Sequence, residues 1–226
     1  PRHQLVMPVA QSDPPFVIAI DGPAGAGKST VGRALASGLG LEYLDTGAMY
    51  RGVTVAALRR NLDPADAAAV ADLARRVRID VGAREVLVDG EDATEAIRSD
   101  EVNASVSTVA ANPAVRAELV ERQRAWAQAR GGGVLEGRDI GSVVFPDAVL
   151  KVYLTASPLE RAQRRAEESG GDVAAIAASI EERDRKDSAR ADGPLVEANG
   201  AVVVDTTGRT VAEILDEINT LLEARR

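Results

Sequence analysis

The chain contains no cysteine, which excludes disulfide frameworks, thiolate metal sites and cysteine nucleophiles. Histidine is almost as scarce. The single His3 sits among the first residues, so a Ser-His-Asp triad has no base to draw on in the rest of the chain. No apolar run approaches the roughly 18 residues that a membrane-spanning helix requires. Lysine is rare too: of 27 basic residues only Lys28, Lys151 and Lys186 are lysines, so a lone arginine in a motif weighs little and a lysine weighs more. Positive charge is in deficit overall. The net charge of −8 is the opposite of a general nucleic-acid surface, and any anion site must therefore be local.

What remains is ordinary globular material. With 226 residues, 45% hydrophobic and 27% charged, the chain can bury a full α/β core and one small further module, and a disordered class is excluded. The opening PRHQLVMPVAQSDPP has no apolar segment and is punctuated by proline. Residues 1–15 are therefore expected to be a disordered tail or an expression remnant rather than a signal peptide. From Phe16 a repeated grammar begins. FVIAIDG, LEYLDTG, GGVLEGRD, LKVYLTAS and AVVVDTTG are apolar runs closed by turn residues, as strands covered on both faces read. Helix-period segments separate them. SPLE at 157–160 and TVAE at 210–213 have the spacing of capping boxes, and Asn112 with Pro113 opens a long helix to Arg130. Strands alternating with helices predict right-handed crossovers and a doubly wound, five-stranded parallel sheet. Residues 77–94 break this pattern. VRIDVGAREVLVDGEDAT alternates apolar with polar and turns at glycines, which predicts a small antiparallel β-module inserted beside the main sheet.

The most specific signal is IDGPAGAGKSTVGR. Gly22, Gly27, Lys28 and Ser29 match G-x-x-x-x-G-K-[ST], with the strand before and the helix after that this phosphate-binding loop demands. Backbone N–H groups from Gly22, Pro23, Ala24, Gly25, Ala26, Gly27, Lys28, Ser29 and Thr30, proline excepted, can converge on phosphate oxygens at a helix start. Lys28 is expected to bridge the β- and γ-phosphates and Ser29 to face Mg²⁺. The guanine-selecting N-K-x-D of GTPases is absent, and the chain is short for a motor or transporter. Several arginine-bearing segments follow instead, as if a second anion were held.

GPAGAGKST, LDTGAMYRG, LEGRDIGSVVFPDA and ERDRKDSARA, together and in this order, resemble the bacterial cytidylate kinase family from about Phe16 to the last helix. The resemblance implies transfer of the γ-phosphoryl of ATP to CMP or dCMP, with Mg²⁺ as cofactor, and a monomeric, cytoplasmic enzyme with no nucleic-acid or membrane partner. It implies a P-loop nucleoside monophosphate kinase fold within one domain over 16–226. The core would occupy about 16–50, 131–160 and 191–226, an acceptor-binding insertion about 51–130, and a helical lid about 161–190. Arg51 and Arg138 are placed on the acceptor's α-phosphate, and Asp45, Thr46 and Tyr50 beside it. Independently of the family, Arg138 follows a buried strand's C-terminal end, where open sheets bind ligands. Arg51, near a helix start, is an isolated cation in a position the helix dipole disfavours.

The base is assigned in the same way. Asp139 and Ser107 face the cytosine amino edge and Arg116 its acceptor edge. Uracil reverses that pattern, at a cost on the order of 1–3 kcal/mol. Read without the family, Ser107 is one of several hydroxyls in NASVSTVAAN, and Arg116 is equally a surface residue. Arg183, Asp187 and Arg190 share a helical face, either as a solvated salt-bridge ladder or, by resemblance, at the acceptor's sugar, base or phosphate. Arg161, Arg164 and Arg165 would close on ATP and the transferring group, Lys28, Arg138, Arg161 and Arg165 being catalytic and Arg164 binding ATP. The family can carry glycine in place of Ser29, so Mg²⁺ is expected at Ser29 or through water. Glu136, often aspartate in the family, has no assigned role. A kinase for a different nucleoside monophosphate and a non-enzymatic ATP-binding module are the alternatives.

Overall fold

A computed structural model describes residues 14–225; residues 1–13 of the expected tail lie outside the described residues. The chain begins with β1 (Phe16–Asp21), α1 (Lys28–Leu39), β2 (Tyr43–Asp45), α2 (Thr46–Arg59) and α3 (Ala67–Arg76). Three short strands follow, β3 (Ile79–Val81), β4 (Val86–Val88) and β5 (Glu91–Asp92), then α4 (Asp100–Ala111) and α5 (Pro113–Arg130). The remainder is β6 (Gly132–Gly137), β7 (Leu150–Thr155), α6 (Pro158–Ser169), α7 (Val173–Ser188), β8 (Val202–Asp205) and α8 (Val211–Glu223).

The five apolar runs form one parallel sheet in the order β2-β6-β1-β7-β8. Alternation along β1 shows why both faces are covered. Val17 and Ala19 pack into a core shared with α2, α3, α4 and α5, while Ile18 and Ile20 pack into a second core shared with α1 and α8. Each strand face therefore meets its own helical layer, the doubly wound arrangement that continuous apolar strands require. β3, β4 and β5 make the separate antiparallel module expected over 77–94. β1 lies between β6 and β7, and the loop after it emerges at the carboxyl edge of the sheet, where such folds hold ligands.

Local differences from the sequence reading have identifiable causes. LEYLDTG stops being a strand at Asp45, because the Asp45 carboxylate accepts the Ala48 N–H at 3.0 Å and starts α2 at Thr46. Asn112 and Pro113 open α5 as expected, and Thr210 with Glu213 completes a capping box. SPLE does not complete one. Ser157 accepts from the Glu160 N–H, but the Glu160 carboxylate turns to Arg164 and to the Gly208 N–H at 2.8 Å. α7 ends at Ser188, so Arg190 is not on the helix with Arg183 and Asp187; it folds back to pair with Asp187 from beyond the helix end.

Candidate active site

The loop after β1 delivers an open helix start. Gly27 adopts φ 86°, a left-handed conformation that favours glycine, and precedes α1 with no side-chain cap and no acid in the first turn. The first amides of α1 and their partial positive charge are thus left for an anion. Lys28 is buried, its Nζ donating to the Pro23 carbonyl at 2.7 Å. Burial, and then the nearby Arg138 charge, push its ammonium well below the ordinary lysine range, with Glu136 pulling the other way. An incoming phosphate would restore that charge.

Beside the lysine lies a buried oxygen cluster. Ser29 Oγ donates to Glu136 Oε1 at 2.6 Å, whereas Glu136 Oε2 and the Tyr43 hydroxyl have no hydrogen-bond partner among the described residues. Burial chiefly, with Asp45 adding repulsion, raises the Glu136 carboxyl to about 7. Thr46 Oγ1 donates to the Glu136 carbonyl at 2.7 Å and joins α2 to the same strand end.

A cleft opens from Lys28 toward α4, α5 and α7. Of the residues expected at the acceptor, Asp45, Thr46, Tyr50, Ser107, Arg116, Arg138, Asp139, Arg183, Asp187 and Arg190 all line it. The surface reading of Arg116 is overturned: it is 4% exposed and forms an ion pair with Asp139, with Tyr50 Oη 3.5 Å from its Nη1. Burial lifts the Asp139 carboxyl even though Arg116 pulls it down. The solvated-ladder reading fails likewise. The Asp187 side chain is 1% exposed, accepts from Arg138 Nε at 3.0 Å, pairs with Arg190 and lies 3.9 Å from Arg183 Nε. Burial opposes its charge, yet Arg138, Arg190 and Arg183 hold its carboxyl below the usual range. The cations remain in excess. Burial first, then repulsion from Arg138 and Arg51, drives the Arg183 guanidinium down to about 9.

Arg51 stands outside the cleft wall. Its Nη1 donates to the Ile97 carbonyl at 2.7 Å and to Asn103 Oδ1 at 2.8 Å. It remains within electrostatic reach of the cleft: burial lowers it to about 10, with Asp45 countering and Arg165 and Arg138 reinforcing. From α6, Arg161 Nη1 donates to the Ala24 carbonyl at 3.1 Å and pairs with Asp184. Arg164 Nη1 and Nη2 donate to Thr206 Oγ1 and the Thr206 carbonyl, both at 2.8 Å, close to Gly27. Arg165 pairs with Glu168 at 3.1 Å on the more exposed side.

Asp21 and Glu136 received no functional role from the sequence. Asp21 is 3% exposed and accepts the Ile140 and Gly141 N–H groups at 2.8 and 2.7 Å, which fixes the turn carrying Arg138 and Asp139. Its signal was an acid closing an otherwise apolar buried run. Glu136 was seen, but its contact with Ser29 spans 107 residues and has no local signature.

One anion seat on backbone amides and another among guanidinium groups, meeting at a buried lysine, serve the head-to-head alignment of two phosphorylated molecules. In class the protein is a P-loop kinase. The family model described as "Cytidylate kinase" matches residues 18–224. The chain belongs to the cytidylate kinase family. The cytidylate kinase of Mycobacterium leprae is 48% identical over 215 residues, spanning 93% of this chain and 96% of that protein. That of Symbiobacterium thermophilum is 50% identical over 213 residues, with 90% and 94% covered. A bifunctional pantoate ligase/cytidylate kinase of Synechococcus is 50% identical over 220 residues, and there the chain spans 45% of the relative's length. Two solved structures share the fold alone. An uncharacterized protein from Eubacterium ventriosum has TM-score 0.51 at 11% identity, covering 92% of this chain and 98% of that one. TT1252 from Thermus thermophilus has TM-score 0.50 at 20% identity, covering 93% and 97%.

Proposed function

We propose that the chain transfers the γ-phosphoryl group of ATP to CMP or dCMP, giving ADP and CDP or dCDP. The observation that carries this reading is the buried Arg116–Asp139 pair in the wall of a cationic cleft. Cytosine offers an amino donor beside ring acceptors, so a carboxylate next to a guanidinium matches it, with Ser107 adding a hydroxyl on the same wall. Uracil would place a carbonyl against the carboxylate.

In this reading Arg138 grips the acceptor's α-phosphate from between the two seats. Its Nε is tied to Asp187 and its Nη1 to the Gly22 carbonyl at 2.9 Å, so one side chain indexes the acceptor against the phosphate loop. Asp187 accepts ribose hydroxyls, Arg183 and Arg190 neutralise the acceptor, and Arg51 supports its phosphate from behind. An acceptor phosphate oxygen attacks the γ-phosphorus as the bond to the β-bridging oxygen breaks, and ADP departs. No side-chain base is required, because the attacking oxygen is already anionic. Lys28 follows the charge on the moving group. Arg161, Arg164 and Arg165 cover the donor and exclude water, which protects ATP from hydrolysis.

Mg²⁺ fits the oxygen cluster. Glu136 has a buried Oε2 without a partner beside Ser29 Oγ, and sites of this kind take one carboxylate, a hydroxyl, water and substrate phosphates. Ser29 and Glu136 would hold it, the latter directly or through water, and when bound it would neutralise β- and γ-phosphate charge. The reading takes the chain as a monomer working in the cytoplasm on small molecules; no described helix is long and apolar enough to cross a membrane.

The test is a panel of initial rates with CMP, dCMP, UMP, AMP and GMP. Fastest turnover with CMP or dCMP is expected. A clear preference for UMP or a purine overturns the acceptor assignment, and ATP binding without acceptor-dependent ADP formation overturns the enzymatic reading.

A further inference from the structure

The crown of the phosphate loop is already engaged by an anion that belongs to the chain. Asp184 Oδ1, on α7, accepts the Ala24 N–H at 3.2 Å, while its Oδ2 pairs with Arg161, whose Nη1 also donates to the Ala24 carbonyl at 3.1 Å. One residue of the loop is thus clasped through both its backbone groups by an ion pair whose halves come from α6 and α7. The fit is close: a side chain on Gly25 would meet the Arg161 carbonyl at 2.8 Å and its Cβ at 2.9 Å. A carboxylate that takes a loop amide and a guanidinium together does what a phosphate oxygen does in such a loop. Arg161 Nε, buried and without a partner among the described residues, is a donor left over for an incoming oxygen.

We propose that Asp184 is a positioning residue that stands in for ATP phosphate at the phosphate loop. It keeps Arg161 docked over Ala24 in the empty enzyme and yields both the amide and the guanidinium when the polyphosphate arrives. The proposal rests on ATP being the molecule that enters this loop. Its physical basis is competition. Lys28, Arg138 and Arg183 line one cleft and Arg161 sits over the adjoining loop; a carboxylate placed there offsets positive charge, and Asp184 contributes favourably to the Lys28 charge in this way. ATP must then displace a like charge, so affinity is reduced in exchange for an arginine that is already in place.

The experiment measures ATP binding by calorimetry, with steady-state CMP phosphorylation alongside, on the full chain and on Asp184→Asn, Arg161→Gln and the double variant. Asp184→Asn is expected to bind ATP about tenfold tighter, since a negative charge leaves the phosphate site, and to turn over about tenfold more slowly, since Arg161 is no longer indexed. Weaker or unchanged ATP binding in a folded Asp184→Asn overturns the proposal, because a scaffold role predicts loss and not gain. Should that variant fail to fold, the double variant decides. It must bind ATP at least about tenfold tighter than Arg161→Gln; equal or weaker binding overturns the stand-in role. Failure of the parent chain to bind ATP or to phosphorylate CMP is a different result and counts against the proposed function instead.

Discussion

Arg116 and Asp139 face one another as an ion pair in the wall of the cleft, with side chains 5% and 8% exposed. Removing one partner of such a pair leaves an uncompensated buried charge. Asp139→Ala is expected to lower stability by about 3–5 kcal/mol and to raise KM for CMP by about tenfold or more, with KM for ATP nearly unchanged. Replacing both residues, Arg116→Met with Asp139→Leu, should recover most of the stability without recovering CMP use. Denaturant unfolding beside steady-state kinetics separates the two effects. Recovery of CMP turnover in the apolar pair would contradict the base-reading role.

Lys28 is buried where burial and Arg138 disfavour its charge, and its Nζ donates to the Pro23 carbonyl. Its value lies in the loaded enzyme rather than in the fold. Lys28→Ala should reduce kcat by on the order of 10³-fold. Lys28→Met, which keeps the length and removes the charge, should melt within about 1 kcal/mol of the parent chain or above it. Near-normal turnover in either variant would refute the phosphate-bridging role.

Arg138 touches both seats, Asp187 on one side and the Gly22 carbonyl on the other. In the proposed reading its guanidinium serves the acceptor. Arg138→Ala is expected to cut kcat/KM for CMP by about 10²-fold or more, while ATP affinity changes by less than about threefold. An effect confined to ATP affinity would show that the two sides have been exchanged.

Asp21 sets a pH dependence. Burial, outweighing the Ile140 and Gly141 amides, lifts its carboxyl from 3.8 to about 6. Between those values the native state holds a proton that the unfolded chain has released, so this group's contribution to stability falls as pH rises through the window. Asp21→Asn removes that dependence and loses one of the two amide contacts. Its stability deficit should be largest near about pH 4 and narrow by about 3 kcal/mol toward neutrality. Unfolding curves across that range measure it, and a deficit independent of pH would mean that Asp21 is already ionised in the folded protein at pH 4.

The sheet and the phosphate loop were legible because their signals are local. A strand covered on both faces must be apolar throughout, as β1 is from Phe16 to Ile20, and the spacing from Gly22 to Ser29 is contiguous. The cleft was legible only in part. Arg183 and Asp187 have the spacing of a solvated ladder; what makes them a buried cluster is Arg138, 49 residues from Asp187 in sequence. Arg116 has an equally neutral pattern on α5, and Asp139, 23 residues away, decides its burial. Asp21 read as the last residue of a strand because the amides it accepts lie about 120 residues downstream. Residues that act through distant partners leave no periodicity behind them.

Glu160 gives up its place in a capping box to bind Arg164 and the Gly208 amide, and Arg164 in turn grips Thr206. The base of α6 is thereby bolted to the loop after β8, while Asp184 fastens the far half of α7 to the crown of the phosphate loop. As long as both ties hold, bending of this helical hairpin is left to its tip, around Gly170 and Gly171 with φ of 72° and 105°; the release of Asp184 proposed for ATP entry would free the foot on α7 and leave α6 anchored.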